Sequence, residues 1–217
     1  IKLKEVVKAV SDSMSTVVWN NQLLCAFLEL LLSLLTLSDE GNQEEEGEEG
    51  ALSVINVVDT RTLVDLTQKS NDIDTSGIFT TFAYNCSASK GMLAQLYQSG
   101  ALKVVKTVLE STVDDETYVI AAAGCVRFFT SLDGQEVFIL DAGVIEPLLV
   151  QLIRFSSSPD IISEVAMAVY NLAVQPELRH FLLEKGCLSS LQACLEVVDE
   201  GIKEEVEEAI AVLQMEV

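Results

Sequence analysis

The chain has 217 residues, 49% of them hydrophobic, and a formal charge of −21 from 34 acidic residues against 13 basic ones. That apolar content supplies a sizeable core and excludes an intrinsically disordered chain. So acidic a surface repels a phosphate backbone, which excludes nucleic acid as a partner and leaves a basic protein as the one best tolerated. Only three prolines occur (Pro147, Pro159, Pro176) in a mixture dominated by Leu, Val, Ala and Glu, so the expected fold class is all-α.

In chain order, "LKEVVKAVSDS" followed by "TVVWNNQLLCAFLELLLSLLTL" reads as a shorter helix and then a longer one. The apolar stretch 23–37 is 15 residues long, carries Glu29 and follows Asn20, Asn21 and Gln22. A span needs about 20 apolar residues, so no membrane span is expected here, only a helix buried on most sides by its neighbours. The run "SDEGNQEEEGEEG" at 38–50 holds seven acids and no base; setting it aside leaves −14. It reads as a solvated loop inserted at a unit boundary, with a basic-partner lure or groove competitor as the alternative, and it lacks the spacing of a calcium loop.

From there a period of 43 residues governs the chain, marked by Gly100, Gly143 and Gly186. At this offset Leu96, Ile139 and Leu182 align before the glycines. After them come Leu102, Ile145 and Leu188, then Val105, Leu148 and Leu191, then Leu109, Leu152 and Leu195. The glycine allows a backbone turn too tight for a residue with a Cβ, so two helices should meet there at a steep angle. A third helix follows, in "TSGIFTTFAYNCSA", "YVIAAAGCVRFFTSL" and "IISEVAMAVYNLAV", each rich in small residues where helices approach closely. One such unit cannot bury its apolar faces alone; stacked neighbours make a continuous core.

Three helices per 43 residues, with "QSGAL", "DAGVI" and "EKGCL" at the first turn and "AVYNLA" in the third helix, resemble an armadillo repeat. The resemblance is strong from about 74 to 198 and weaker before, where Val57 stands in place of the glycine. It implies a right-handed α-α superhelix of about five three-helix repeats: 1–37 (incomplete), 51–88, 89–131, 132–174 and 175–217, with 38–50 looped out. In that family the third helices line the concave face and commonly clasp an extended peptide through an Asn. A carboxamide suits this, because it offers both donor and acceptor to an unpaired main chain. The aligned positions are Asn85, Phe128 and Asn171, so the middle clasp is replaced by an apolar plate. Nuclear-import adaptors of the family carry a Trp four residues earlier; here those positions are Thr81, Gly124 and Met167, which argues against that role. One step before the Asn positions, Tyr84, Arg127 and Tyr170 add residue types that often anchor interfaces. Packing between repeats is the alternative reading of both sets.

The remaining chemistry is sparse. Five cysteines (Cys25, Cys86, Cys125, Cys187, Cys194) in helical apolar contexts read as small hydrophobes in a reducing compartment, cytosol or nucleus. His180, the one histidine, aligns with Ala94 and Val137 and is expected to pack rather than catalyse. Without a metal-ligand set, GxGxxG, P-loop or GxSxG, neither cofactor nor enzyme activity is expected. A start at Ile1, with neither initiator Met nor signal peptide, reads as an excised fragment. Exposed terminal repeats would then favour self-association. The expected function is that of a protein-binding scaffold or adaptor for a peptide or helix. The alternatives are an exchange-factor-like regulator of a small GTPase or chaperone ATPase, and a spacer within a longer solenoid.

Overall fold

A computed structural model describes residues 3–14, 19–39 and 58–215. Most of the acidic run and Val57 lie outside the described residues. Thirteen helices and no strand occur among the described residues, in two compact units, Ile1–Thr107 and Val108–Val217.

The first unit contains α1 (Leu3–Ser13), α2 (Asn21–Asp39), α3 (Thr60–Ser70), α4 (Ile73–Ser87), α5 (Lys90–Ser99) and most of α6 (Ala101–Glu110). Short polar residues start its helices. Asn20 Oδ1 accepts from Leu23 N at 2.9 Å, Asp59 accepts from the amides of Arg61 and Thr62, and Asp72 accepts from Thr75 N. Each cap satisfies amides that the first turn leaves without a helical partner. The amide of Asp59 donates in turn to Ser11 Oγ at 2.8 Å, tying α1 to the start of α3. The two longest helices, α2 and α4, pack side by side over Leu24, Phe27, Leu28, Leu31, Phe79 and Phe82. Among the described residues no helix is long and apolar enough to cross a membrane. The expectation that α2 is buried on most sides is overturned: Leu23 and Leu30 are 45% and 42% exposed, and the buried residues form one helical stripe. A continuous run of leucines hid that amphipathic arrangement.

The second unit runs through α7 (Glu116–Thr130), α8 (Glu136–Asp141), α9 (Ile145–Arg154), α10 (Pro159–Ala173), α11 (Pro176–Glu184), α12 (Cys187–Leu195) and α13 (Glu200–Leu213). The long helix α10 lies between α7 and α13 and packs on both. Close approach to α7 is made possible by Ala121, Ala122, Ala123 and Gly124, all buried. Pro159 and Pro176 open α10 and α11, where the missing N–H costs no helical hydrogen bond.

The periodic glycines do what their spacing implies. Gly100, Gly143 and Gly186 have φ of 86°, 68° and 84°, a left-handed conformation that a Cβ disfavours, and each separates a first helix from a second. The aligned apolar triplets are buried apart from Leu188 and Leu195, which are half-buried.

Side chains also hold the loops. Gln151, 1% exposed, donates from Nε2 to Leu109 O (2.7 Å) and Ser111 O (3.2 Å). Beside it Arg154 donates to Thr112 O and Val113 O and pairs with Asp114. Arg179, 7% exposed, donates to Ala173 O at 2.7 Å and Met215 O at 3.4 Å, gathering carbonyls at the ends of α10 and α13, where a cation complements the helix dipoles.

Candidate functional site

In a long helix packed on three sides, the residues left to solvent form a single stripe, and that stripe is where a partner can be met. On α4 it comprises Asp74, Ile78, Thr81, Tyr84 and Asn85, spaced three or four apart. Its polar groups turn along their own helix: Thr81 Oγ1 donates to Gly77 O at 3.0 Å and Asn85 Nδ2 to Thr81 O at 2.9 Å. Asn85 is exposed, and its carbonyl Oδ1 takes no hydrogen bond among the described residues. Tyr84 and Thr81 are half-buried.

In the second unit the corresponding stripe spans two adjacent helices. On α7, Arg127 and Phe128 are half-buried, with the guanidinium carbon 4.4 Å from the centroid of the phenyl ring, within cation–π range. Arg127 Nε lies 2.5 Å from Oε2 of Glu164 on α10, a residue only 9% exposed. Neither atom makes a well-aimed hydrogen bond to the other, so this is a contact of charges rather than a linear N–H···O bond. Gly124, aligned with Thr81 and Met167, is buried. On α10, Met167, Tyr170 and Asn171 are half-buried along one face. Asn171 Nδ2 donates to Arg127 O and to Thr130 Oγ1, both at 3.2 Å, while Thr130 Oγ1 donates to Arg127 O at 2.7 Å.

Sequence alignment therefore brings Arg127, Phe128, Met167, Tyr170 and Asn171 onto the exposed faces of α7 and α10, and Thr81, Tyr84 and Asn85 onto that of α4. The carboxamides differ from expectation in one respect: each Nδ2 already donates within the protein, Asn85 along its own helix and Asn171 to α7, so neither is wholly free for a partner's main chain. The carbonyl partners fix the amide orientation, since a carbonyl cannot donate. Sequence reasoning missed Glu164 and Thr130. The available signal for Glu164 was an acid in the otherwise apolar register of "IISEVAMAV", which burial makes costly unless a cation lies opposite.

His180 does not pack, contrary to expectation. Its side chain is 80% exposed and its Nε2 lies 3.1 Å from Glu184 Oε1 one turn on. The aligned Val137 is itself 55% exposed, so this register of the first helix faces solvent although apolar residues occupy it in the other repeats. Cys86, Cys125, Cys187 and Cys194 are buried and none of the five cysteines is in a disulfide. Burial pushes the Cys86 and Cys187 thiols up to about 12 and raises Cys194, which removes thiolate chemistry at neutral pH. No group of three His, Cys, Asp or Glu among the described residues is placed to hold a metal.

No protein-family model matches the chain, and neither does any curated protein. Solved structures do. An engineered protein aligns with a TM-score of 0.65 at 20% identity, over 97% of this chain and 91% of that one. A computationally designed armadillo repeat protein for modular peptide recognition gives 0.63 at 18% identity, over 97% and 92%. A designed armadillo repeat protein in complex with the peptide (KR)4 gives 0.64 at 19% identity, over 97% and 92%. At these identities the likeness is one of fold: the chain has an armadillo-like α-α repeat fold.

Proposed function

We propose that this chain is an interaction module that holds a peptide or helical segment of another protein against the exposed faces of its third helices, as adaptor or scaffold and without turnover. The observation that carries the reading is the face built by α7 and α10. Arg127, Phe128, Met167, Tyr170 and Asn171 lie half-buried there, held by neighbours yet open to solvent. Aromatic and Arg side chains fixed in advance lose little freedom on binding, which is why they dominate interface energies. Two of the structural neighbours are designed for, or hold, peptides, which supports the class of ligand. In this reading the segments 89–131, 132–174 and 175–217 are successive repeats and the α4 stripe is a second contact surface.

The test is affinity capture from a cell extract with the wild-type chain and two variants, Tyr84→Ala/Asn85→Ala and Phe128→Ala/Tyr170→Ala. Circular dichroism first establishes equal helicity. Asn171 is left intact because its amide also ties α10 to α7. Partners lost from either variant support the reading. Capture of the same set by all three proteins counts against it.

A further inference from the structure

Besides the third-helix stripes, the second unit carries a groove of about 420 Å³ between the end of α6 and α9. That is within the roughly 300–1,000 Å³ of clefts that take a small ligand. Leu109, Pro147 and Val150 give it an apolar lining, and Val150 is 58% exposed. None of these residues belongs to the stripes of α4, α7 and α10.

The polar groups of the wall are unequally matched. Gln151, which lines the groove, is 1% exposed and donates from Nε2 to Leu109 O and Ser111 O. Because a carbonyl cannot donate, those partners identify the other end of the amide as Oε1. Oε1 is buried and takes no hydrogen bond among the described residues. An acceptor left in that state is costly, and a ligand that brings a donor removes the cost. The neighbouring cation, Arg154, directs its terminal nitrogens to Thr112 O, Val113 O and Asp114.

The groove therefore suits an apolar body with one N–H and no acceptor to satisfy, which among side chains describes the tryptophan indole. Lysine also donates, but its ammonium would enter beside Arg154 and desolvate a charge against a single acceptor. An indole face instead attracts a guanidinium. The connector that borders the groove is acidic: Glu110, Asp114, Asp115 and Glu116 are all exposed. Those carboxylates favour basic residues on either side of the inserted one.

We propose that the groove between α6 and α9 is a second docking site, which takes a tryptophan of a basic partner segment. The indole lies on Pro147 and Val150, its Nε1–H donates to Gln151 Oε1, and flanking Lys or Arg face the acids of 110–116. The proposal is independent of the third-helix reading.

The probe is a displayed library of ten-residue peptides selected against the full chain at about 0.1 M NaCl, where a Debye length of about 10 Å leaves short-range charge attraction in place. Enriched peptides are titrated against wild type and Val150→Gln, an uncharged change at an exposed helix position that leaves the core untouched; equal melting temperature establishes its fold. Peptides that need Val150 are then remade with 1-methyltryptophan, which keeps the ring and removes the N–H. Gln151 itself stays intact because its amide also holds the loop.

The expected result is a set of peptides with a tryptophan between basic residues that lose roughly tenfold in affinity on Val150→Gln and again on indole methylation. Val150-dependent peptides that lack tryptophan, carry it without basic neighbours or tolerate the methyl group would overturn the assignment, as would enrichment confined to peptides indifferent to Val150→Gln. The full chain is also sedimented alone. Self-association that Val150→Gln abolishes would give the groove to a second copy and likewise overturn the proposal.

Discussion

Asp59 shows how a single residue fixes a local boundary. Its carboxylate accepts from the Thr62 hydroxyl at 2.6 Å and from the amides of Thr62 and Arg61, and these bonds, the hydroxyl's first, hold its pKa below the ordinary value against the opposing effect of burial. Replacing Asp59 by Ala should cost about 1 kcal/mol, the usual value of an N-cap. Because the folded pKa is depressed, the ionised contribution is present above the unfolded pKa and is lost as pH falls through the folded one. The gap between wild type and Asp59→Ala in urea unfolding should therefore narrow from pH 7 toward pH 3, and a gap that widens would contradict the assignment. The cysteines make a second residue-scale case. With Cys86 and Cys187 raised to about 12 by burial, and Cys194 and Cys125 also buried, Ellman's reagent on the native chain should find Cys25 first, and the other four only on unfolding. Rapid modification of Cys86 without loss of helicity would show that this part of the core opens.

For the helix as a unit, the informative contrast is between turns. Gly100 has φ 86° with nothing within 4 Å of the position a Cβ would occupy, so Gly100→Ala costs backbone strain alone, about 1–2 kcal/mol. Asn71 ends α3 at φ 50° with a side chain that tolerates this region, so Asn71→Gly should be nearly neutral and Asn71→Val clearly destabilising. Thermal melts of the three variants would rank Gly100→Ala with Asn71→Val if conformation is the cause. Comparable losses for Asn71→Gly would mean that the side chain, not the backbone, does the work. The same glycines explain why the helices were legible in the sequence: a left-handed residue every 43 positions and apolar steps of three and four are local signals. Less legible was how much each helix is covered. The leucines of α2 looked buried throughout because composition does not say on how many sides a helix has neighbours. His180 was misplaced for the same reason. At the site, alignment delivered the side chains on the exposed stripes but not their partners. Asn171 bonds a helix 41–44 residues away, and Glu164 answers Arg127 from the next long helix, contacts that only folding brings together.

For the whole molecule the deciding quantity is charge. With 34 acids against 13 bases, most carboxylates have no cation available, and the net −21 works against compactness through self-repulsion. Opposing this are local ion pairs, which salt also weakens. The two that reach across the second unit's surface, Arg154 with Asp114 and Lys185 with Glu146, leave their acids 92% and 62% exposed. Pairs so open to water are worth about 0–1 kcal/mol each. The Arg127–Glu164 contact, with its carboxylate side chain 12% exposed, is screened far less. Repulsion among the unmatched acids is thus the larger salt-sensitive contribution, and it acts over distances that a Debye length of about 10 Å at 0.1 M already cuts off. Raising NaCl from about 10 mM to about 0.3 M at pH 7 should therefore raise the melting temperature, by about 2–4 °C for each kcal/mol of repulsion relieved in a chain of this size. Most of the rise should come below about 0.1 M, where screening first becomes shorter than the spacing of surface charges. A melting temperature that falls over that range would mean that the exposed ion pairs outweigh the excess acids.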